Sequence, residues 1–278
     1  MLKKFKKMDT YDLVTNIVVL IGALAFLLPL FWLISNTFKF SPEIYRTPPT
    51  IIPERFTLRN LEDLFQNQPT IRWVWNSFVV SFLTGLLSVL FSALAAYGFA
   101  KLKIKGKSVL FILVISSIMI PKETFIVPLF EIIVDLNWID TYASMIVPNL
   151  ATGFGTFMLF AFFDSIPDSI RESAKIDGAT EFTIFRKLML PIAKPGVAAL
   201  FILNFVSTWN DYLWQLLMGR TESMQTLNVG VASLQQSISP NVGLRVAGAA
   251  IAALPMIIVF VIFQKYFVAG ATAGAVKE

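Results

Sequence analysis

The chain has 278 residues, of which 56% are hydrophobic and 15% charged, with a mean hydropathy of +0.69 and a formal net charge of +5. A soluble domain carries about 25% charged residues, so this composition excludes an ordinary water-soluble fold and points to lipid as the solvent. Histidine and cysteine are both absent, which excludes disulfides, histidine zinc sites, Ser-His-Asp triads and histidine proton relays. The positive charge is read as loop topology, because no basic stripe interleaved with aromatics marks a nucleic-acid surface.

Lys3, Lys4, Lys6 and Lys7 open the chain. The uncharged run at residues 13–38 that follows is long enough for a bilayer core of about 30 Å, with Pro29 placed to kink it. Such a basic start resembles a signal peptide, but the run exceeds an h-region and no small-x-small cleavage pattern follows, so a retained span is expected. Residues 39–72 contain Pro42, Pro48, Pro49 and Pro53 and read as an irregular loop with a short helix near residues 58–67.

A second run covers residues 73–100. Lys101, Lys103, Lys105 and Lys107 then fill a short turn before a weaker third run at 108–121. Lys122 and Glu123 interrupt that run, which is expected to extend slightly past Pro121, with residues 125–136 lying near the interface. The fourth run, 141–163, is uninterrupted; the fifth, 195–218, holds a single acid, Asp211; the sixth is 246–264. The expected architecture is therefore an all-α integral membrane domain of six spans at residues 13–268, between tails at 1–12 and 269–278. Basic residues concentrate in the loops that face inward when the amino terminus is inside, which makes both termini cytoplasmic and loops 39–72, 122–140 and 219–245 external. No internal repeat is visible.

The inner segment at residues 164–195 is longer than a turn requires and reads as two short helices. Asp168 or Ser169 can cap the first, and Gly178 supplies the left-handed residue that ends it. Thr180 can cap the second, with Glu181 set against its N-terminal dipole. Phe182, Phe185 and Met189 recur at i, i+3 and i+7 as an apolar ridge, and Pro191 and Pro195 stop the helix. By these features alone, a hairpin resting on lipid headgroups and an element that docks into another protein stay equally open.

Gly106-Lys107-Ser108 is not a phosphate loop, since Lys101 stands where the first glycine is needed and no strand precedes it. Asp211, beside Trp209, Asn210, Tyr212 and Trp214, is a functional candidate as an acid within a span; the aromatic neighbours also suit an interfacial anchor or an interhelical hydrogen bond. Asn204, deeper in the same run, and Asn149, Thr152, Gly153 and Gly155 in the fourth are read either as lining a path or as allowing close helix packing.

Glu172-Ser173-Ala174, then Gly178 after three residues, then Leu188-Met189-Leu190-Pro191 after nine, resembles the Glu-Ala-Ala loop of permease subunits of ATP-binding-cassette importers. Ser173 replaces Ala and Leu188 replaces Ile, both keeping the small or aliphatic character. Phe40-Ser41-Pro42-Glu43, Ile176-Asp177-Gly178-Ala179, the run from Trp209 to Trp214 and the ending from Tyr266 to Lys277 resemble the carbohydrate-uptake branch, and the chain is similar to its six-span maltose-transporter permease. The resemblance implies a type I importer permease fold in a prokaryotic cytoplasmic membrane, and import of a sugar or sugar-like solute. It implies coupling to a separate ATPase dimer through Glu172, Ser173, Ala174, Asp177, Gly178, Phe182, Phe185, Leu190 and Pro191. ATP and Mg would be bound by that partner, and no cofactor or metal by this chain, which is not itself an enzyme. A second homologous permease and an extracytoplasmic solute-binding protein complete the expected assembly. Residues 221–242 would probe the binding protein, and the tail with Gly270 and Gly274 would reach toward the ATPase. Asn149, Thr152, Asn204, Asn210 and Asp211 are the translocation-path candidates. The rival reading, an ion-coupled secondary transporter, calls for midplane carboxylates and repeats, whereas the spans are nearly free of ionisable groups and no repeat is evident; an intramembrane enzyme would need a nucleophile–base pair. The identity of the sugar stays open.

Overall fold

The computed structural model describes residues 10–234 and 241–273, with the side chains of 10, 12 and 265–273 left aside. Every regular element among these residues is helical. Three helices are each long and apolar enough to cross a membrane: Leu13–Thr37, Thr70–Lys101 and Val242–Gln264. Three bent pairs join them as candidate crossings. Lys107–Met119 meets Lys122–Asp135 at 93°, Tyr142–Asn149 meets Gly153–Asp164 at 50°, and Glu181–Ile192 meets Lys194–Asn210 at 79°.

The third, fourth and fifth expected runs are each interrupted. The third run does not continue past Pro121: Ile120 is extended at φ −98°, ψ 118°, as a residue before proline prefers, and the chain turns there. The fourth breaks at residues 150–152, after a 3₁₀ turn that contains Pro148. The fifth ends at Asn210, because Asp211 leaves the helix at ψ 110° and its carboxylate accepts from the Trp214 amide at 3.3 Å, starting a separate helix, Leu213–Met218. An aspartate that offers the backbone a local bond competes with helix continuation.

The chain divides into two compact units. One comprises Met1–Gln68 and Val231–Ile251. Its Thr10–Thr37 helix runs through Pro29, and its apolar window buries nothing within the chain; such a helix needs lipid or a partner around it. At its end Lys39 is buried, donating to Asn36 Oδ1 at 2.8 Å and to the Thr50 carbonyl at 2.5 Å while lying over the Trp32 ring. Asn60, on the Arg59–Gln66 helix, donates to the Thr37 and Lys39 carbonyls. The orphan carbonyls of a helix terminus are thereby satisfied, and the proline-rich loop is held to it.

The other unit comprises Pro69–Gly230 and Ala252–Glu278. Its centre is Thr70–Lys101, packed against Gly153–Asp164 and Lys194–Asn210. Ser77, Ser81, Thr84, Gly85, Ser88, Ser92 and Ala96 recur about every fourth residue along its buried face, the small-residue spacing that lets membrane helices approach closely. A methyl group added at Gly85 would lie 3.1 Å from the Phe201 ring, and one at Gly155 2.5 Å from Ser92 Oγ. Gly155 is therefore a packing residue.

Candidate functional site

Two places in this second unit gather the polar side chains that the sequence singled out. The first is the segment between Gly153–Asp164 and Lys194–Asn210. Its first helix is Asp168–Ile176. The expected cap from Asp168 or Ser169 is absent: Pro167 holds the N-cap position, and Asp168 instead accepts from Lys101 Nζ at 2.7 Å. Lys101 is buried and also donates to the Ile166 carbonyl at 2.6 Å. Its hydrogen bond and charge hold the Asp168 carboxyl below the usual carboxylate range.

Gly178 ends the helix at φ +81°, a backbone state other residues reach only at a cost; the Ala179 amide then bonds the Ala174 carbonyl at 2.9 Å. Thr180 caps the next turn by accepting from the Thr183 amide at 3.3 Å. Glu181, the first residue of that turn, is held by three donors. Arg171 pairs with it, Lys175 Nζ lies 2.6 Å away, and Tyr97 donates its hydroxyl at 2.6 Å. Arg171 is the chief cause of a Glu181 pKa held down to about 2, with burial opposing and Lys175 and Tyr97 assisting; Arg171 is correspondingly raised. The segment is thus tied to the end of the Thr70–Lys101 helix at two points, Tyr97 and Lys101.

The ridge expected from Phe182, Phe185 and Met189 is split, and this is a correction. Residues Phe185–Met189 form a π turn, and Phe182 lies on the α turn before it. Phe185 and Met189 are buried in the core with Tyr97, Phe163 and Ile184, whereas Phe182 is 64% exposed. Phe185 therefore holds the segment to its own chain and is not free to touch a partner. Ala174 and Leu190 lean on the same core, while Glu172, Ser173, Asp177, Gly178 and Pro191 are exposed. Ile176, 88% exposed, joins Phe182 as the outward apolar surface.

The second place lies where the broken helices break. A cleft of about 100 Å³ is lined by Lys122 and Glu123, just after the Pro121 turn, by Pro148 and Asn149 before the break at residues 150–152, and by Asp211 and Trp214 beyond the end of the Lys194–Asn210 helix. Lys122 Nζ contacts Asp211 Oδ2 at 2.8 Å. Non-helical backbone at membrane depth is tolerated where it lines a cavity. Asn149 and Asp211 are brought together here. Asn204 is not among the residues lining this cleft: its amide donates to Ser88 Oγ at 3.0 Å across the helix packing. Asn210 bonds the Val206 carbonyl within its own helix, and the buried Thr152 hydroxyl finds no hydrogen-bond partner among the described residues.

Sequence reading missed Tyr97, Lys101, Arg171 and Lys122. Lys101 and Lys122 were visible only as loop charges, and nothing local links Tyr97 to an acid 84 positions away. The expected outer probe contains a helix, Leu227–Ser233, with residues 235–240 outside the described set; Gly274 and the end of the tail are outside it too.

The comparisons with known proteins agree with one another. The model of the family described as "Binding-protein-dependent transport system inner membrane component" matches residues 9–272. The chain is 34% identical over 280 residues to AraQ, an arabinooligosaccharides transport system permease protein of Bacillus subtilis (strain 168), with 100% of both chains covered. It is also 34% identical over 253 residues to SmoH, a sulfoquinovosyl glycerol transport system permease protein of Agrobacterium fabrum, covering 90% of this chain and 89% of that one. A chain of a solved bacterial ABC transporter involved in the import of the acidic polysaccharide alginate shares the fold, with a TM-score of 0.80 at 23% identity, over 96% of this chain and 100% of that one.

Proposed function

Because the chain belongs to the family of binding-protein-dependent transport system inner membrane components, we propose that it is a permease subunit of an ATP-binding-cassette importer for a sugar or sugar-like solute. It forms half of a translocation pathway with a second homologous permease. An extracytoplasmic binding protein delivers the solute, and a separate ATPase dimer, which binds ATP and Mg, docks beneath. The lysine-rich turn supports reading the segment at residues 164–195 as cytoplasmic, in a prokaryotic inner membrane with both termini on that side.

The observation that carries this reading is the build of that segment. Its inner face is fixed to the Thr70–Lys101 helix through Lys101–Asp168 and through Glu181 with Tyr97, while Ile176 and Phe182 stand exposed on its outer face. An element locked to its own span and apolar outward suits the transmission of a push. Closure of the ATPase dimer moves the segment, the attached helix moves with it as a rigid body, and access alternates between the two sides of the membrane. Glu172, Ser173, Asp177 and Gly178 shape the outward face, and Ala174, Phe185, Leu190 and Pro191 hold its shape.

The test is the double variant Ile176→Asp, Phe182→Asp. Membrane insertion and pairing with the second permease are expected to persist, while the ATPase no longer copurifies and ATP-driven uptake into proteoliposomes is lost. Normal copurification and uptake would sink the docking role. Uptake that ignores ATP and collapses with an ionophore would sink the importer reading itself.

A further inference from the structure

The cleft at the helix breaks has a chemistry of its own, and it bears on which solutes the pathway accepts. Its polar groups are one cation, Lys122, and two carboxylates, Glu123 and Asp211, with the Asn149 amide beside them. The Asn149 nitrogen is spent on the Met145 carbonyl at 3.0 Å, leaving its oxygen as an acceptor. The Trp214 ring is fixed by donation from its indole nitrogen to the Ser144 carbonyl at 3.0 Å. The remaining wall is aliphatic, from Ile126, Leu129 and Leu213.

Lys122 and Asp211 satisfy each other at 2.8 Å. A sugar hydroxyl can replace either member for the other, because it both donates and accepts. It accepts from the ammonium and donates to the carboxylate, while the carbon–hydrogen face of the ring lies on Leu213 and the rest of the aliphatic wall. An anionic group has no such exchange. It would compete with Asp211 for a cation already paired and would meet the field of two carboxylates. Unpaired like charges are how a site rejects a wrong ligand.

We propose that this cleft is a sugar subsite contributed by this chain, and that it selects neutral sugar rings over uronates, phosphates and sulfonates. The proposal rests on the permease reading above and deepens it, by assigning direct solute contact to this subunit and excluding acidic solutes from it. Lys122 and Asp211 form the exchangeable pair, Asn149 accepts one further hydroxyl, and Glu123 supplies the negative field.

The experiment uses the complete transporter in nanodiscs, with arabinotriose and maltotriose as neutral probes and trigalacturonate and glycerol 3-phosphate as anionic ones. Binding is read by saturation-transfer NMR and titrated to a Kd. Wild type is expected to bind a neutral trisaccharide at least about tenfold more tightly than either anion. Asp211→Asn and Lys122→Gln should each weaken neutral binding about tenfold. Glu123→Lys, which inverts the local charge while leaving the pair in place, should raise anion affinity by about the same factor. Anions binding wild type as tightly as neutral sugars would overturn the proposal. So would neutral binding that is absent, or that neither Asp211→Asn nor Lys122→Gln changes, with both variants eluting as intact complexes. ATP-driven uptake with the binding protein is measured in parallel: if it persists while the cleft variants have no effect, the subsite fails and the permease reading stands.

Discussion

Two lysine–aspartate pairs of nearly equal length sit in the same unit and are built in opposite senses. In Lys101–Asp168, at 2.7 Å, the lysine side chain is 4% exposed and the aspartate 70%. In Lys122–Asp211, at 2.8 Å, the lysine is 57% exposed and the aspartate 9%. The buried member decides what each pair can do. Lys101 has a second partner in the Ile166 carbonyl and cannot swing into water without leaving polar groups stranded, so that pair is a fastening. Lys122 faces solvent, and Asp211 keeps the Trp214 amide as a second partner, so that pair can open when another donor takes the place of the ammonium. The difference assigns rigidity to the segment that would receive force and exchangeability to the cleft that would meet solute.

The largest expected effect tests the rigid side. Phe185→Ala removes a ring packed among Tyr97 and Phe163 and should cost about 3–5 kcal/mol, seen as a lower Tm and reduced yield of the detergent-purified chain. Phe182→Ala, three residues away and exposed, should shift stability by only about 0.5 kcal/mol or less. Equal losses for the two would mean that Phe182 shares the buried side of the ridge.

Next is Lys101→Met, which strands the Ile166 carbonyl and releases Asp168; about 1.5–3 kcal/mol should be lost. The matching change in the cleft, Lys122→Met, should cost less, about 1 kcal/mol, because the ammonium it removes is the solvent-exposed member of its pair. Comparing the two melting curves breaks the contrast directly if the order is reversed. Gly178→Ala should cost about 1–2 kcal/mol through its positive φ alone, since nothing lies near enough to clash with a new methyl group.

The smallest effect is a dependence on pH. Glu181 has a folded-state pKa of about 2 against an ordinary 4.5, so the folded state binds this proton less readily than the unfolded state does. Its stabilisation is complete above about pH 4.5 and fades as pH falls toward 2. Tm measured from pH 6 to 3 should therefore drop more steeply for wild type than for Glu181→Gln, the two curves converging at the acid end; parallel curves would show that the cluster does not hold the segment.

Much of this was legible in the residues. Long uncharged runs mark membrane helices because lipid leaves no other solution for the backbone, and Gly178 and Thr180 announce a helix end and a helix start by their own chemistry. The breaks were harder to see. Pro121 and Asp211 were visible, but hydropathy averages over a kink, so runs three, four and five read as straight. The ion network was illegible for another reason: Tyr97 and Glu181, or Lys122 and Asp211, are joined by helix packing, and no spacing rule reaches that far along the chain. Lys101 looked like a topological charge until the fold put a carbonyl and a carboxylate in front of it.

The π turn at Phe185–Met189 also acts on phase. An α-helix advances about 100° per residue, so one residue accommodated in a widened turn offsets everything before it by that angle relative to everything after. Deleting a single residue from this turn would let the helix rewind to regular α geometry and rotate the Glu181–Ile184 turn by about a quarter of a revolution. Glu181 would then face away from Tyr97, and Phe182 away from its present outward direction. The orientation of the segment's outer face is thus encoded as a count of residues, and a one-residue insertion or deletion there is expected to disturb it more than most substitutions on that face.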